Sequence, residues 1–462
     1  MVPFKLFNTV SQSVEALIPL QENLVSIYTC GPTVYGNPHI GNLRTYIAED
    51  LLVRSLKLAG YQVHRVMNIT DVGHLTSDGD EGEDKLEVGA KRDGTTAWEV
   101  AKRYEKVFLD DMIAFNLLPA DQLVRATDTI TEQISLIQTL ESKGFTYTTS
   151  DGVYFDSSKF PQYGDFARLD IAGLEAGARV DLGEKRAATD FALWKFSPQD
   201  SKRDMEWESP WGKGFPGWHI ECSAIIHKTL GNQIDIHCGG VDHIPVHHTN
   251  EIAQSTAATG EKLANIWMHT EFLLVDGGKM SKSLGNLFTL SDLQERGIEP
   301  EAFKLFCYGA SYRSKLNFSW ESLSASQHRL NLWRNRYSFT ATSSGGDVQQ
   351  ESRLSNLLDE FKQALFTDLN TAVALSVVEK AYKEITAGEV LRQFLQDVDA
   401  VLGLNLTKEV APIILPPEHL QMKVERDKAR ASRDWETSDK IRKELEDLGY
   451  QVQDRLDGTH IF

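Results

Sequence analysis

The stretch LVSIYTCGPTVYGNPHIGNLRTYIAEDLLVRSLKLAGYQVHRVMNITDV, residues 24–72, decides the fold. Its opening, LVSIYTC (24–30), is a short apolar run of the kind that forms a buried strand. Residues 36–60 begin with turn residues and continue as a helix, with apolar positions at Leu43, Ile47, Leu51, Leu52 and Leu56 and a stop at Gly60. YQVHRVMNITDV (61–72) is a second β-rich run. Strand, helix and strand in succession make a βαβ unit, which implies a parallel sheet covered by helices.

A second set lies downstream. GWHIECSAIIHKTLG (217–231) reads as a helix, IDIHCGG (234–240) as a strand ending in glycines, HHTNEIAQSTAATG (247–260) as a helix and NIWMHTEFLLV (265–275) as a strand. Between the halves, from about 120 to 210, FTYTTSDGVYFD is strand-like and SPQDSKRD is turn-rich, so this segment reads as an insertion splitting one nucleotide-binding fold. Beyond about residue 320 the pattern is almost wholly helical. TATSSGGDVQQES (340–352) reads as a loop or linker, and APIILPPEHL (411–420) as a boundary set by its prolines. The last stretch predicts two short helices and a strand.

The composition is that of an ordinary globular protein, with 41% apolar and 25% charged residues. A net charge of −18 argues against broad, nonspecific nucleic-acid binding while leaving room for local basic patches. No apolar run is long enough to predict a membrane span, and the N-terminus lacks the pattern of a signal peptide. Cys30, Cys222, Cys238 and Cys307 are far apart, so a reducing cytoplasm is expected rather than a disulfide framework. TSDGDEGEDKLE (76–87) has Gly82 and Glu83 where a calcium loop needs an oxygen ligand and then glycine, and reads as a solvated loop.

Two stretches point to phosphate chemistry. PHIGN (38–42) sits between the first strand and the first helix, where an open α/β sheet binds ligands and a helix N-terminus offers unpaired N–H groups. His39 adds a donor there, and Gly41 permits close backbone approach. VDGGKMSKSLGN (275–286) follows the last strand of the second half and carries Lys279 and Lys282 between glycines. Its ammonium groups could stabilise charge developing on a leaving pyrophosphate. Either motif alone is weak. Together, in this order, they resemble the paired signatures of class I aminoacyl-tRNA synthetases, usually HIGH and KMSKS. Asn42 replaces the last histidine; it can donate a hydrogen bond but cannot become cationic.

The cysteines and histidines are ambiguous on their own. Cys30 ends the first strand, Cys222 lies on a predicted helix, and His247 and Glu251 are four apart on one helical face. All four are competent zinc ligands, but His219, His237, His243, His248 and Cys238 compete. A wider resemblance narrows the choice. CGPTVYGNPHIGN, NITD, GARV, DFALWK, GFPGWHIECSA, HHTNEIAQS, KMSKSLGN and DWETSDKIRKELEDLGYQVQD are similar to cysteinyl-tRNA synthetases from about residue 5 to about residue 457.

That resemblance implies one zinc ion held by Cys30, Cys222, His247 and Glu251. A zinc ion would select a thiol over a hydroxyl, where an apolar pocket would discriminate by only about 1–3 kcal/mol. It also implies catalytic roles for His39, Asn42, Lys279 and Lys282. ATP contacts are expected from His39, Gly41, Asn42, Gly239, Asp242 and Lys282, and cysteine contacts from Cys30, Gly31, Thr70, Trp218 and His237. Arg426, Arg430 and Trp435 are implied tRNA contacts, and Mg2+ should accompany ATP. Thr249, where an HHENE run often has glutamate, and TDVGH, where many members are more acidic, depart from the family pattern.

The expected fold is α/β: a split Rossmann-type catalytic domain with a parallel sheet and a mixed insertion, then a helical bundle and a small C-terminal anticodon-binding module. The expected divisions are 1–119 and 211–275 for the two Rossmann halves, 120–210 for the insertion, 276–325 for the KMSKS loop and stem-contact region, 326–410 for the bundle and 411–462 for the module. The expected activity is ATP-dependent cysteinylation of tRNA(Cys) through cysteinyl-adenylate, by a cytoplasmic monomer with no membrane partner. The rivals are a cysteine ligase with an amino-sugar acceptor, a noncatalytic RNA-binding paralogue and a simpler nucleotidyltransferase.

Overall fold

The computed structural model describes residues 3–73, 84–169, 183–198, 203–280, 285–339, 348–385, 388–408, 415–448, 450, 452–455 and 458–461. Its central sheet has five parallel strands in the order Ala264–Thr270, Ile234–Gly240, Leu24–Thr29, Gln62–Ile69 and Gln122–Arg125. The chain runs outward in one direction in its first half and in the other direction in its second. Leu24–Thr29 and Ile234–Gly240 are therefore the pair across which the order reverses, and ligands of such sheets bind beyond the strand ends at that point. Gln122–Arg125 lies within the stretch read as insertion but pairs with Gln62–Ile69 as the edge of this sheet.

The helix expected over 36–60 is observed as Ile40–Leu58. Leu43, Ile47, Leu51, Leu52 and Leu56 are all buried, each contributing roughly 1.5–3 kcal/mol by leaving water. Gly60 follows in the left-handed region at φ +94°, which stops the helix without a Cβ penalty. The core around this helix continues into the bundle through Leu357, Phe361, Val378 and Phe394.

The insertion carries a four-stranded antiparallel sheet of Thr146–Thr148, Gly152–Phe155, Phe191–Phe196 and Gly214–Pro216. Helix Trp218–Thr229 then returns the chain to the main sheet. The run 265–275 is not one strand. Ala264–Thr270 belongs to the main sheet, whereas Leu273–Val275 pairs with Leu316–Phe318 and Gly278–Lys279 in a separate three-stranded sheet. The break falls at Glu271 and Phe272, whose carbonyls both accept hydrogen bonds from Arg44, Phe272 O also accepting from Leu316 N–H at 3.2 Å.

The bundle consists of helices Trp320–Phe339, Val348–Leu365, Thr371–Glu384 and Gly388–Leu402. Val348 already starts a helix, so the linker read over 340–352 is shorter than expected on its C-terminal side. Pro417 opens helix Pro417–Ala431, a position that suits a residue without an N–H. Helix Trp435–Asp447 follows, then a hairpin of Val452–Arg455 and Gly458–Ile461 where one strand was expected. Of the acidic stretch 76–87, residues 76–83 lie outside the described residues. Asp84 caps helix Lys85–Asp93 by accepting from the N–H groups of Leu86 and Glu87. Among the described residues no helix is long and apolar enough to cross a membrane.

Candidate functional site

Three separate elements converge beyond the reversal point of the sheet. Cys30 leaves the end of Leu24–Thr29, its N–H donating to Cys238 O at 3.2 Å. Cys222 comes from helix Trp218–Thr229. His247 stands in a widened π-turn, Ile244–His248, and Glu251 in the first turn of helix Thr249–Thr259 that continues it. Such a turn carries an extra residue and re-aims side chains, and it recurs at functional sites. Thr249 is absorbed by this turn, its hydroxyl donating to Ile244 O at 2.7 Å.

Two groupings among the described residues bring their donor atoms within 4.8 Å of one another: Cys30, Cys222, His247 and Glu251, and Cys30, His237, His248 and Glu251. They share Cys30 and Glu251 and so describe one place. In the second grouping the histidines bond the members that both groupings share. His237 Nε2 is 3.1 Å from Glu251 Oε2, and His248 bonds Cys30 Sγ at 3.3 Å and His269 Nε2 at 2.8 Å. In the first grouping His247 Nε2 and Glu251 Oε1 are 3.0 Å apart, yet Oε1 has no hydrogen bond of sound geometry. Two buried groups close together but not bonded to each other have the arrangement of ligands sharing an ion. Two thiols, an imidazole and a carboxylate form a donor set that suits a borderline metal.

The surroundings orient these groups. His219 shares a 3.0 Å hydrogen bond with His247 through the Nδ1 atoms, leaving Nε2 directed at the cluster. Trp218 stacks on His247 with centroids 4.5 Å apart, and Trp267 stacks on His237 at 4.4 Å. Burial opposes ionisation of Glu251, but the charges of His237 and His247 prevail and hold its carboxyl at about 2. Burial pushes the Cys30 thiol up, while the neighbouring Cys30 sulfur draws Cys222 down against burial. The chain of contacts runs from Cys30 through His248 and His269 to Thr9 Oγ1 at 2.7 Å. Sequence reading missed His269; a polar residue inside the apolar run IWMHT was its only signal.

The HIGN turn is a capping box. His39 Nδ1 accepts from the Asn42 N–H, and Asn42 Oδ1 accepts from the His39 N–H, both at 3.3 Å. Asparagine at 42 thus closes the first turn without a charge. Ile40 N–H donates to Phe288 O at 2.8 Å, and a Cβ on Gly41 would collide with the Met280 methyl and the His39 ring. The signature turn and the KMSKS segment are therefore in direct contact. Lys279 pairs through its backbone with Leu274, and Lys282 lies outside the described residues.

The remaining expected residues fall in two places. Gly31 N–H donates to Asn68 Oδ1 at 2.8 Å, and Asn68 O leaves no room for a Cβ on Gly31. Thr70 is buried, donating to Glu221 Oε2 at 3.1 Å, and Trp218 is half-buried. Gly239 lies near the end of its strand, where a Cβ would stand 2.7 Å from the His243 and His248 rings, and Asp242 is exposed just beyond. In the C-terminal module Trp435 is 56% exposed, but Arg426 is 0% exposed. The Arg426 guanidinium grips both Asp454 oxygens and Thr459 Oγ1, while Arg430 pairs with Asp454 at 2.7 Å. Arg426 is thus placed as an internal tie rather than a surface contact, because the hairpin covers its face of the helix.

Comparison with known proteins places the chain in a family. Residues 16–328 match the family model for the class I (C) tRNA synthetase catalytic domain. The chain is 50% identical to a cysteine--tRNA ligase 1 of Burkholderia lata, covering 100% of this chain and 97% of that one. It is 40% identical to the cysteine--tRNA ligase of Treponema denticola, covering 98% of each. The solved Mycobacterium tuberculosis methionyl-tRNA synthetase in complex with methionyl-adenylate shares the fold, with a TM-score of 0.59 at 15% identity over 82% of this chain and 90% of that one. The chain therefore belongs to the class I aminoacyl-tRNA synthetases, in their cysteine--tRNA ligase family.

Proposed function

We propose that this protein activates L-cysteine with ATP and transfers it to tRNA(Cys). The observation that carries this reading is the buried convergence of Cys30, Cys222, His247 and Glu251 at the reversal point of the main sheet, whose first strand leads into HIGN. We assign zinc to those four residues; when bound, it supplies a site that prefers a substrate thiolate to a hydroxyl.

The chain's own groups do the rest. Gly31, Thr70, Trp218 and His237 shape the amino-acid pocket, with His237 also holding Glu251 in place. Gly239 and Asp242 meet the nucleoside, and His39, Gly41 and Asn42 present the helix N-terminus to the ATP phosphates. The cysteine carboxylate attacks the α-phosphorus, the bond to the bridging oxygen breaks, and pyrophosphate leaves. Lys282, supported by Lys279, stabilises the charge that develops on it, with Mg2+ accompanying ATP. A hydroxyl of the tRNA's terminal ribose then attacks the adenylate carbonyl and AMP departs. Arg430 and Trp435 are the module's candidates for RNA, by charge and by stacking. A monomer in the cytoplasm completes the reading.

The test is an acceptor assay. With cysteine and ATP the purified protein should cysteinylate a tRNA(Cys) transcript and leave an amino-sugar unmodified. A small amide product without charged tRNA would establish the amino-sugar reading, and no pyrophosphate exchange with cysteine would establish the noncatalytic one.

A further inference from the structure

Arg44 lies two residues beyond the HIGN turn and is only 2% exposed. Its guanidinium donates to four peptide carbonyls in two separate segments. Nη1 reaches Glu271 O at 2.8 Å and Phe272 O at 2.7 Å, and Nη2 reaches Ser311 O at 3.2 Å and Ser314 O at 2.6 Å. These segments are the roots of two paired strands, Leu273–Val275 and Leu316–Phe318, and Glu271 N–H also donates to Tyr312 O at 2.8 Å. The chain leaves that small sheet directly into the KMSKS segment and returns at Phe288, whose carbonyl accepts from Ile40 N–H.

Both ends of the segment are thus fastened to one helix, within a few residues of His39. A cation buried against carbonyls is costly to desolvate, and an apolar side chain would fill the space at less cost. What the planar fork provides, and an apolar or ammonium group does not, is fixed geometry between two carbonyl pairs.

We infer that Arg44 is a positioning residue for adenylate formation, one that fixes the strand leading into the KMSKS segment so that Met280 lies against the HIGN turn. This inference rests on the reading of that segment as the one that meets the ATP phosphates. Displacement of a reacting group by about 1 Å can cost about 100-fold in rate, so loss of the fork should reduce the rate constant for activation without altering cysteine affinity.

The experiment uses the full-length protein and two variants, Arg44→Lys and Arg44→Ala. Cysteine-dependent pyrophosphate exchange is measured alongside hydrogen exchange over residues 271–288. Arg44→Lys retains the charge and is expected to fold, with kcat for exchange reduced about 10- to 100-fold and KM for cysteine within about twofold. Amides of 271–288 should exchange faster while those of Leu24–Thr29 do not change. Added guanidinium should restore part of the activity of Arg44→Ala, an effect a merely structural role would not show. If Arg44→Lys exchanges pyrophosphate at the wild-type rate, or leaves 271–288 as protected as before, the inference is wrong. Absence of cysteine-dependent exchange in the wild-type protein would instead overturn the reading of the site, and this inference with it.

Discussion

Glu251 and Arg426 are both 0% exposed and both polar, yet they do opposite things. In the C-terminal module the Arg426 guanidinium closes on Asp454 and Thr459, and the result is a tie between a helix and the hairpin that covers it. At the sheet's reversal point, Glu251 Oε1 lies against His247 Nε2 without bonding it, with two thiols beside them. Buried polar atoms are normally satisfied. Where metal-competent groups converge around an unsatisfied oxygen, the arrangement suits a ligand; where a charge is closed by its own partners, as the two Nη atoms of Arg426 are, the group belongs to the scaffold.

The largest effect expected tests the first half of that contrast. Cys222→Ser should remove bound metal and cysteine-dependent exchange together, a loss exceeding the roughly 100-fold typical of changing an outer partner of a metal ligand. Metal analysis and exchange on the same preparation check it, and a variant that retains activity without metal would break the comparison. Arg426→Met tests the second half. It should destabilise the module by about 3 kcal/mol, the lower end for breaking a buried pair because Asp454 keeps Arg430. Hydrogen exchange over 452–461 should rise while pyrophosphate exchange stays at the wild-type rate.

Glu49 sharpens the rule, because it is buried and unsatisfied at both oxygens but belongs to no metal-competent grouping among the described residues. Burial raises its carboxyl from the ordinary 4.5 to about 8 against the pull of Arg65. The folded form therefore holds a proton that the unfolded chain releases above pH 4.5, and stability is lost as pH rises from there to about 8. Relative to the wild type, Glu49→Gln should gain on the order of 3 kcal/mol between pH 5 and pH 8. Parallel unfolding curves at the two pH values would refute this. The smallest effect is expected at Trp435, exposed on the module. Trp435→Ala should raise KM for tRNA about tenfold, as loss of one base-stacking platform does, with little change in thermal stability.

Much of this was legible in the residues. The βαβ pattern of 24–72 predicts the sheet and the helix, since apolar spacing reports directly on which face is buried. The four proposed metal ligands could not be separated from their rivals by spacing alone, because they come from three elements joined only by the fold. The resemblance to a family separated them; in the structure His237 bonds Glu251, and His248 bonds Cys30 and His269. Two features escaped for the same physical cause. The burial of Arg426 depends on a hairpin that lies beyond its helix in sequence, and the break at Glu271 and Phe272 depends on Arg44, which precedes it by more than half the catalytic domain. Local patterns do not contain long-range partners.

The central claim is that a metal held by Cys30, Cys222, His247 and Glu251 selects cysteine. The most direct measurement is pyrophosphate exchange with cysteine and with serine, made on protein whose zinc content is determined in the same sample. One zinc per chain with exchange on cysteine alone is the predicted result. Equal exchange on serine, or full cysteine-dependent exchange from metal-free protein, would contradict it.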